Sequence, residues 1–159
     1  KGIHYLINAF RMVRTKKKLV IAGGASDTDE YVKRLQASAG EDDRIIFTGF
    51  VQGQLLEELY SNAYAYVLPS DVEGMPLSLL EAMSYGNCCL VSDIAECMEV
   101  VGTHALCFDK GNVDDLRKQL QMLCDDPDLV QQFRGSVQSY ICERFNWDDV
   151  TKQTLELYQ

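Results

Sequence analysis

Apolar residues recur at two different spacings along this chain. Ile3, Leu6, Ile7, Phe10 and Val13 repeat at helical intervals, as on a helix with one apolar face. The basic patch Lys16-Lys17-Lys18 reads as the solvated end of that helix. Leu19-Val20-Ile21-Ala22 is a short continuous apolar run, a buried strand stopped by Gly23-Gly24. Similar runs at 45–47, 65–68, 89–91 and 105–108 predict four more strands. Between them lie helical segments. Asp27 and Glu30 form a capping pair for a helix over 31–39, and Gly40 suits its end. A helix over 54–62 places Leu55, Leu56 and Leu59 on its inner face, and another covers 76–85. Three closing helices begin near Asn112, at Asp126-Pro127 and at Asn146. Asp126 suits the N-cap and Pro127 the first helical position.

Strands that are apolar throughout and alternate with helices predict a parallel sheet covered on both faces. The expected fold is therefore α/β, a Rossmann-like doubly wound sheet. The chain shows no internal repeat and no linker, so residues 1–159 read as one domain. In such sheets ligands bind beyond the carboxyl ends of the strands. The loops there are the places to look for chemistry.

Composition narrows the choice of ligand. The chain has 159 residues, 47% of them apolar, which suits an ordinary soluble globule. Its 15 Lys and Arg against 24 Asp and Glu leave a formal charge of −9. An acidic domain is a poor partner for nucleic acid or for an anionic membrane surface. No apolar run reaches the roughly 20 residues that span a bilayer. The six cysteines form no C-x-x-C pair and complete no zinc site, so they read as plain thiols in a reducing cytosol. His4 and His104 are isolated. Trp147 reads as a packing anchor, and Tyr60, Tyr64 and Tyr66 as core or half-buried neighbours of the sheet.

The richest segment runs from Asp71 to Met83, Asp-Val-Glu-Gly-Met-Pro-Leu-Ser-Leu-Leu-Glu-Ala-Met. Its helix is mostly apolar, with Ser78, Glu81 and Ser84 or Tyr85 on one stripe. A carboxylate on such a helix is costly to bury without a partner, so Glu81 should face something polar. Gly74 lets the backbone approach a ligand closely. Pro76 opens the helix and leaves the amides of Leu77, Ser78 and Leu79 as unpaired donors, a site that favours phosphate. Glu73 lies at the mouth of the preceding strand, where it can meet a reacting sugar, while Glu81 can accept from hydroxyls such as a ribose diol. On the residues alone, an exposed loop Glu73 and a solvated Glu81 are an equally good account.

The run Pro69-Ser70-x-x-Glu73-Gly74-Met75-Pro76-Leu77-Ser78-Leu79-Leu80-Glu81-Ala82-Met83-Ser84-Tyr85-Gly86 closely resembles the signature of glycosyltransferase family 4, retaining enzymes of GT-B fold. Lys1-Gly2-Ile3, Phe47-Thr48-Gly49-Phe50-Val51, Val91-Ser92-Asp93 with Glu99-Val100-Val101, and Phe145-Asn146-Trp147 resemble further stretches of that family in order. The resemblance covers nearly the whole chain and maps onto the carboxyl-terminal, donor-binding half of the GT-B fold.

The resemblance implies roles. Glu81 would bind the nucleotide ribose, and Glu73 would lie beside the donor sugar and the bond that breaks. Backbone amides from Gly74 through Met75, Pro76 and Leu77 to Ser78 would hold sugar hydroxyls and phosphate. Lys1 would contact the diphosphate and, with Glu73, serve catalysis. Main-chain groups near Phe50 and Val51 would read the base, and Gly23 and Gly24 would line the cleft. The family implies no metal or other cofactor and a nucleotide-sugar donor as the partner; the expected setting is cytoplasmic, with peripheral membrane association of the full-length protein left open. The family also implies a first strand, an arginine before the lysine and an acceptor-binding domain, none of which lies within residues 1–159. The isolated segment is therefore expected to be inactive. Two departures stand out. Asn87 replaces the usual proline after Gly86, and Ala95-Glu96 stands where a Gly-Gly is common. A nucleotide-sugar epimerase of the same fold and a non-catalytic nucleotide-binding domain are the rival readings.

Overall fold

A computed structural model of the chain describes residues 1–24 and 29–158. Helices and strands alternate as α1 (Ile3–Arg11), β1 (Leu19–Ala22), α2 (Asp29–Ala39), β2 (Ile45–Gly49), α3 (Gln54–Asn62), β3 (Tyr66–Leu68), α4 (Leu77–Ser84), β4 (Cys89–Ser92), α5 (Ala95–Val101), β5 (Leu106–Phe108), α6 (Val113–Asp125), α7 (Pro127–Arg144) and α8 (Trp147–Glu156). The expected elements are present, but α1 ends at Arg11, so Lys16-Lys17-Lys18 lies in the connection to β1 and is not a helix end. Asp27 of the expected capping pair lies outside the described residues.

Every strand pairing is parallel. β1 pairs with β2, and β3, β4 and β5 form a second ladder in that order. Among the described residues no hydrogen-bonded ladder joins the two sets. β4 is the centre of the larger sheet and is buried throughout. Its residues alternate between two cores. Cys89 and Val91 pack with Leu79, Met83, Val100 and Ile141, while Leu90 joins Leu6, Phe108, Leu116 and Leu120 on the opposite face. Continuous hydrophobicity is what a strand sandwiched between helices needs.

Local chemistry sets the element ends. The side chains of Asn112, Asp126 and Asn146 accept hydrogen bonds from the amides of Asp115, Leu129 and Asp149, so each closing helix is capped. Gly40 closes α2 in the left-handed conformation.

The expected α/β class holds, with helices on both faces of the central strand, but three local expectations of burial fail. The apolar runs of β1 and β2 are not buried throughout. Ile21, Ile45 and Phe47 pack on Ile7, Leu35 and Ala39, but Val20 and its partner Ile46 are 40% and 41% exposed. α3 does not fully bury its apolar face, and Leu55 is 52% exposed. Leu56, Leu59 and Tyr60 are half-buried, so α3 covers its apolar face only in part. Trp147 is not an anchor. It is 79% exposed, and α8 buries no residue fully.

Leu90→Ala tests the packing of the central strand. Leu90 is wholly buried, so the truncation should cost about 2–5 kcal/mol in chemical unfolding. A cost below about 1 kcal/mol would contradict the close-packed centre.

Candidate functional site

Within each of the two ladders the strands run parallel, so their carboxyl ends share one edge of that ladder. Gly23 and Gly24 follow β1, Phe50 and Val51 follow β2, and Pro69 to Gly74 follow β3. The Gly23 amide donates to the Gly49 carbonyl at 2.9 Å. Gly24 lies against Phe50, since a side chain added there would stand 3.6 Å from the Phe50 Cβ. The first two strand ends therefore meet. Phe50 is 75% exposed there, with an aromatic face in solvent.

The third strand end carries the charged centre. Gly2 adopts a left-handed φ of 65°, and a Cβ there would stand 1.7 Å from the Pro69 carbonyl oxygen. Only glycine permits that approach. It brings the start of α1 onto the end of β3 and lays Lys1 beside Glu73, 72 residues further along the chain. Lys1 Nζ donates to Glu73 Oε1 at 2.6 Å. The Ser70 hydroxyl donates to the same oxygen at 2.6 Å. Ser70 is wholly buried, and its carbonyl accepts from the hydroxyl of buried Ser92 at the end of β4. Both described donors to the Glu73 carboxylate meet Oε1.

Burial works to raise the Glu73 pKa, but the hydrogen bonds from Lys1 and Ser70 and the charge of Lys1 outweigh it. The group lies below the ordinary carboxylate value and is ionised at neutral pH. The Glu73 side chain is 8% exposed, whereas Lys1 is 60% exposed. An ammonium has three donors. The lysine can therefore hold Glu73 and still offer donors to an anion in solvent.

The polar stripe of α4 forms the third part of the site. Tyr66 donates to Ser78 Oγ at 2.8 Å, and Tyr60 donates to Glu81 Oε2 at 3.0 Å. Glu81 is exposed. That exposure matches a solvated helix carboxylate, and its partner within the chain is the Tyr60 hydroxyl.

The helix start needs a correction. The Leu77 and Leu79 amides are not free; they donate to the carbonyls of Met75 and Pro76, both at 2.9 Å. The tight turn at Pro76 absorbs them. Of the three expected donors, only the Ser78 amide lacks a backbone partner among the described residues. A side chain at Gly74 would meet no atom within 4 Å, so the backbone there is open to approach. Val72, Met75 and Leu77 point their apolar side chains into solvent around Glu73, at 76%, 57% and 59% exposure.

The sequence reading missed Ser70, Ser92 and Tyr60. Ser70 and Ser92 lie inside the motifs quoted for the family resemblance, but a hydroxyl's hydrogen-bond partner is set by tertiary contact. Tyr60 carries no local signal, because its partner is 21 residues away.

A parallel α/β domain with charged and glycine-rich loops gathered at the strand ends belongs to the doubly wound ligand-binding class. The profile of the family Glycosyl transferases group 1 matches residues 1–139, and the chain belongs to that family. It is 30% identical over its whole length to an uncharacterised glycosyltransferase, MJ1607, of Methanocaldococcus jannaschii. It is 31% identical to O-antigen chain mannosyltransferase B of Escherichia coli. It covers 42% of each of those proteins. Among solved structures, Anabaena Alr3699/HepE in complex with UDP-glucose superposes with a TM-score of 0.91 at 22% identity, over 99% of this chain and 45% of that one. Sucrose-phosphate synthase from Thermosynechococcus elongatus superposes with a TM-score of 0.85 at 23% identity, over 99% and 41%. These neighbours establish the fold, one Rossmann-like half of GT-B glycosyltransferases.

Two outcomes test this geometry. Gly2→Ala should destabilise the fold by at least about 1 kcal/mol, through the left-handed backbone and the clash with Pro69. An unchanged unfolding midpoint would contradict the close approach. Glu73 supplies the second test. Its folded pKa is depressed, so its stabilising contribution is complete above the ordinary glutamate value of about 4.3 and is lost as pH falls through the lower folded value. The stability difference between the parent and Glu73→Gln should therefore shrink as pH drops below about 4. A difference independent of pH would contradict the ionised Lys1–Ser70–Glu73 cluster.

Proposed function

We propose that this chain binds the donor of a retaining glycosyltransferase, which moves a sugar from a nucleotide diphosphate sugar to an acceptor. The observation that carries the proposal is the Lys1–Glu73 pair at the mouth of β3, assembled from residues 72 positions apart. Family membership and the two carboxylates spaced as Glu73-x7-Glu81 support it.

The proposed division of labour follows the three strand ends. Main-chain groups at Phe50 and Val51 read the base, while Gly23 and Gly24 line the cleft. Glu81 accepts from the ribose hydroxyls. Lys1 and the Ser78 amide meet the diphosphate. Gly74, Met75, Pro76 and Leu77 form the loop that the donor sugar lies against, with Glu73 beside the bond that breaks. The chain as a whole is acidic, so attraction for a diphosphate has to be local. The proposal assigns it to Lys1 and the start of α4 rather than to a metal ion. As the sugar departs, negative charge grows on the leaving diphosphate, and a fixed ammonium stabilises that charge more than the ground state. The Lys1–Glu73 pair keeps the ammonium in place before the donor arrives, which lowers the cost of organising it.

The acceptor is assigned to a second domain across the cleft. The chain spans about 42% of the length of the first two curated relatives, and apolar Val72, Met75 and Leu77 stand in solvent around the site. Closure by a second domain would exclude water and strengthen the electrostatics of the site. The same reading places a further strand in register between β1 and β3, since the six-stranded doubly wound order 3-2-1-4-5-6 has a position there. The proposed setting is cytoplasmic, in keeping with six cysteines that form no disulfide.

Titration with UDP, GDP and ADP tests donor binding. Glu81→Ala should cost roughly 1.5–3 kcal/mol of affinity for whichever nucleotide the parent binds, with the fold intact. Unchanged affinity would remove Glu81 from the site. Lys1→Ala should weaken the diphosphate more than the nucleoside; equal weakening would show that Lys1 does not touch phosphate. In the longer protein that carries this chain, Glu73→Gln should lower turnover far more than donor affinity. Turnover like the parent's would end its catalytic role, and robust transfer by residues 1–159 alone would overturn the two-domain account.

A further inference from the structure

Glu81 sits exposed on α4, where a glutamate samples several rotamers. One of its oxygens is nevertheless held. The Tyr60 hydroxyl donates to Oε2 at 3.0 Å and also lies 3.4 Å from the Ser78 carbonyl. Tyr60 is itself fixed. Its ring stacks on Tyr85 at 5.4 Å between centroids and lies 6.1 Å from that of Tyr66. Its carbonyl accepts from Asn87 Nδ2 at 2.9 Å, and Asn87 is wholly buried. Burial, reinforced by the neighbouring Tyr66 and by the hydrogen bond to Glu81, pushes the phenol pKa far above its ordinary value. The hydroxyl is therefore a donor at all physiological pH. Asn87, which departs from the family's usual proline, thus ties the end of α4 to the end of α3.

We propose that Tyr60 is a positioning residue for ribose recognition: by occupying Glu81 Oε2 it fixes the carboxylate and presents Oε1 to a sugar hydroxyl. This rests on the reading of Glu81 as the ribose-binding carboxylate. A neutral hydroxyl suits the task because it restrains the carboxylate without cancelling its charge. A lysine or arginine there would neutralise it. The placement also links two parts of the cleft. Phe50 and Val51 lead into α3, and Tyr60 lies in its last turn, so one short helix joins the base-reading turn to the ribose carboxylate. A site built to hydrogen-bond a hydroxyl discriminates strongly against the analogue that lacks it. Tyr60 should therefore control discrimination between ribose and deoxyribose rather than affinity in general.

The test compares UDP, GDP and ADP with their 2′-deoxy and 3′-deoxy counterparts, titrated into the parent, Tyr60→Phe and Glu81→Gln. Tyr60→Phe keeps the ring and its stacking. The parent should prefer at least one hydroxylated nucleotide over its deoxy form. In Tyr60→Phe that preference should fall by about three- to tenfold, while affinity for the deoxy form stays within about twofold. A preference unchanged in Tyr60→Phe, or an equal loss for both forms, would overturn the positioning role if Glu81→Gln abolishes the preference. In that case Glu81 would remain the ribose ligand. A Glu81→Gln protein that keeps the parent's preference would overturn the ribose reading of Glu81, and this inference with it.

Discussion

The contact between Gly2 and the Pro69 carbonyl leaves no room for a side chain, and the candidate site depends on it. That approach joins the first turn of the first helix to the end of the third strand. It places a lysine ammonium within 2.6 Å of a glutamate that is remote in sequence. The left-handed backbone at Gly2 aims Lys1 at the strand mouth, and the hydroxyls of Ser70 and Ser92 tie the receiving carboxylate and its strand to the next strand of the sheet. The result is an ionised, nearly buried Glu73 facing a lysine that remains open to solvent. A domain of net charge −9 thereby keeps a defined cation where an anionic ligand can reach it.

The fold was legible wherever a residue's burial follows from its own segment. Cys89 to Ser92 are apolar or small throughout, and the strand is buried on both faces. Asn112, Asp126 and Asn146 each cap a helix, because a cap is satisfied within three residues. Val20, Ile46, Leu55 and Trp147 ran against expectation for one physical reason. Their apolarity signals burial, but what covers them is a tertiary matter, and all four are exposed.

The site was legible to the same depth. Glu73 and Glu81 stand out by their spacing and by family resemblance, Lys1 by the resemblance alone, and the structure pairs Lys1 with Glu73. The hydroxyls that orient the two carboxylates could not be read locally. Ser70 reaches Glu73 through a loop whose conformation a motif does not state, and Tyr60 reaches Glu81 from a different helix. The helix start at Pro76 shows the opposite error. A general rule promised free amides at Leu77 and Leu79, and the tight local turn used them. Hydroxyl partners, turn geometry and strand order need coordinates, whereas strand positions and helix caps do not.

The central claim is that one nucleotide diphosphate sugar spans the three strand ends, with its diphosphate on Lys1. A crystal structure of the protein carrying this chain, soaked with the nucleotide diphosphate sugar it binds, tests this most directly. The account predicts diphosphate oxygens about 3 Å from Lys1 Nζ and from the Ser78 amide, ribose hydroxyls on Glu81 and the sugar beside Glu73. A nucleotide bound elsewhere, or a diphosphate out of reach of Lys1 while the Lys1–Glu73 pair stays closed, would contradict it.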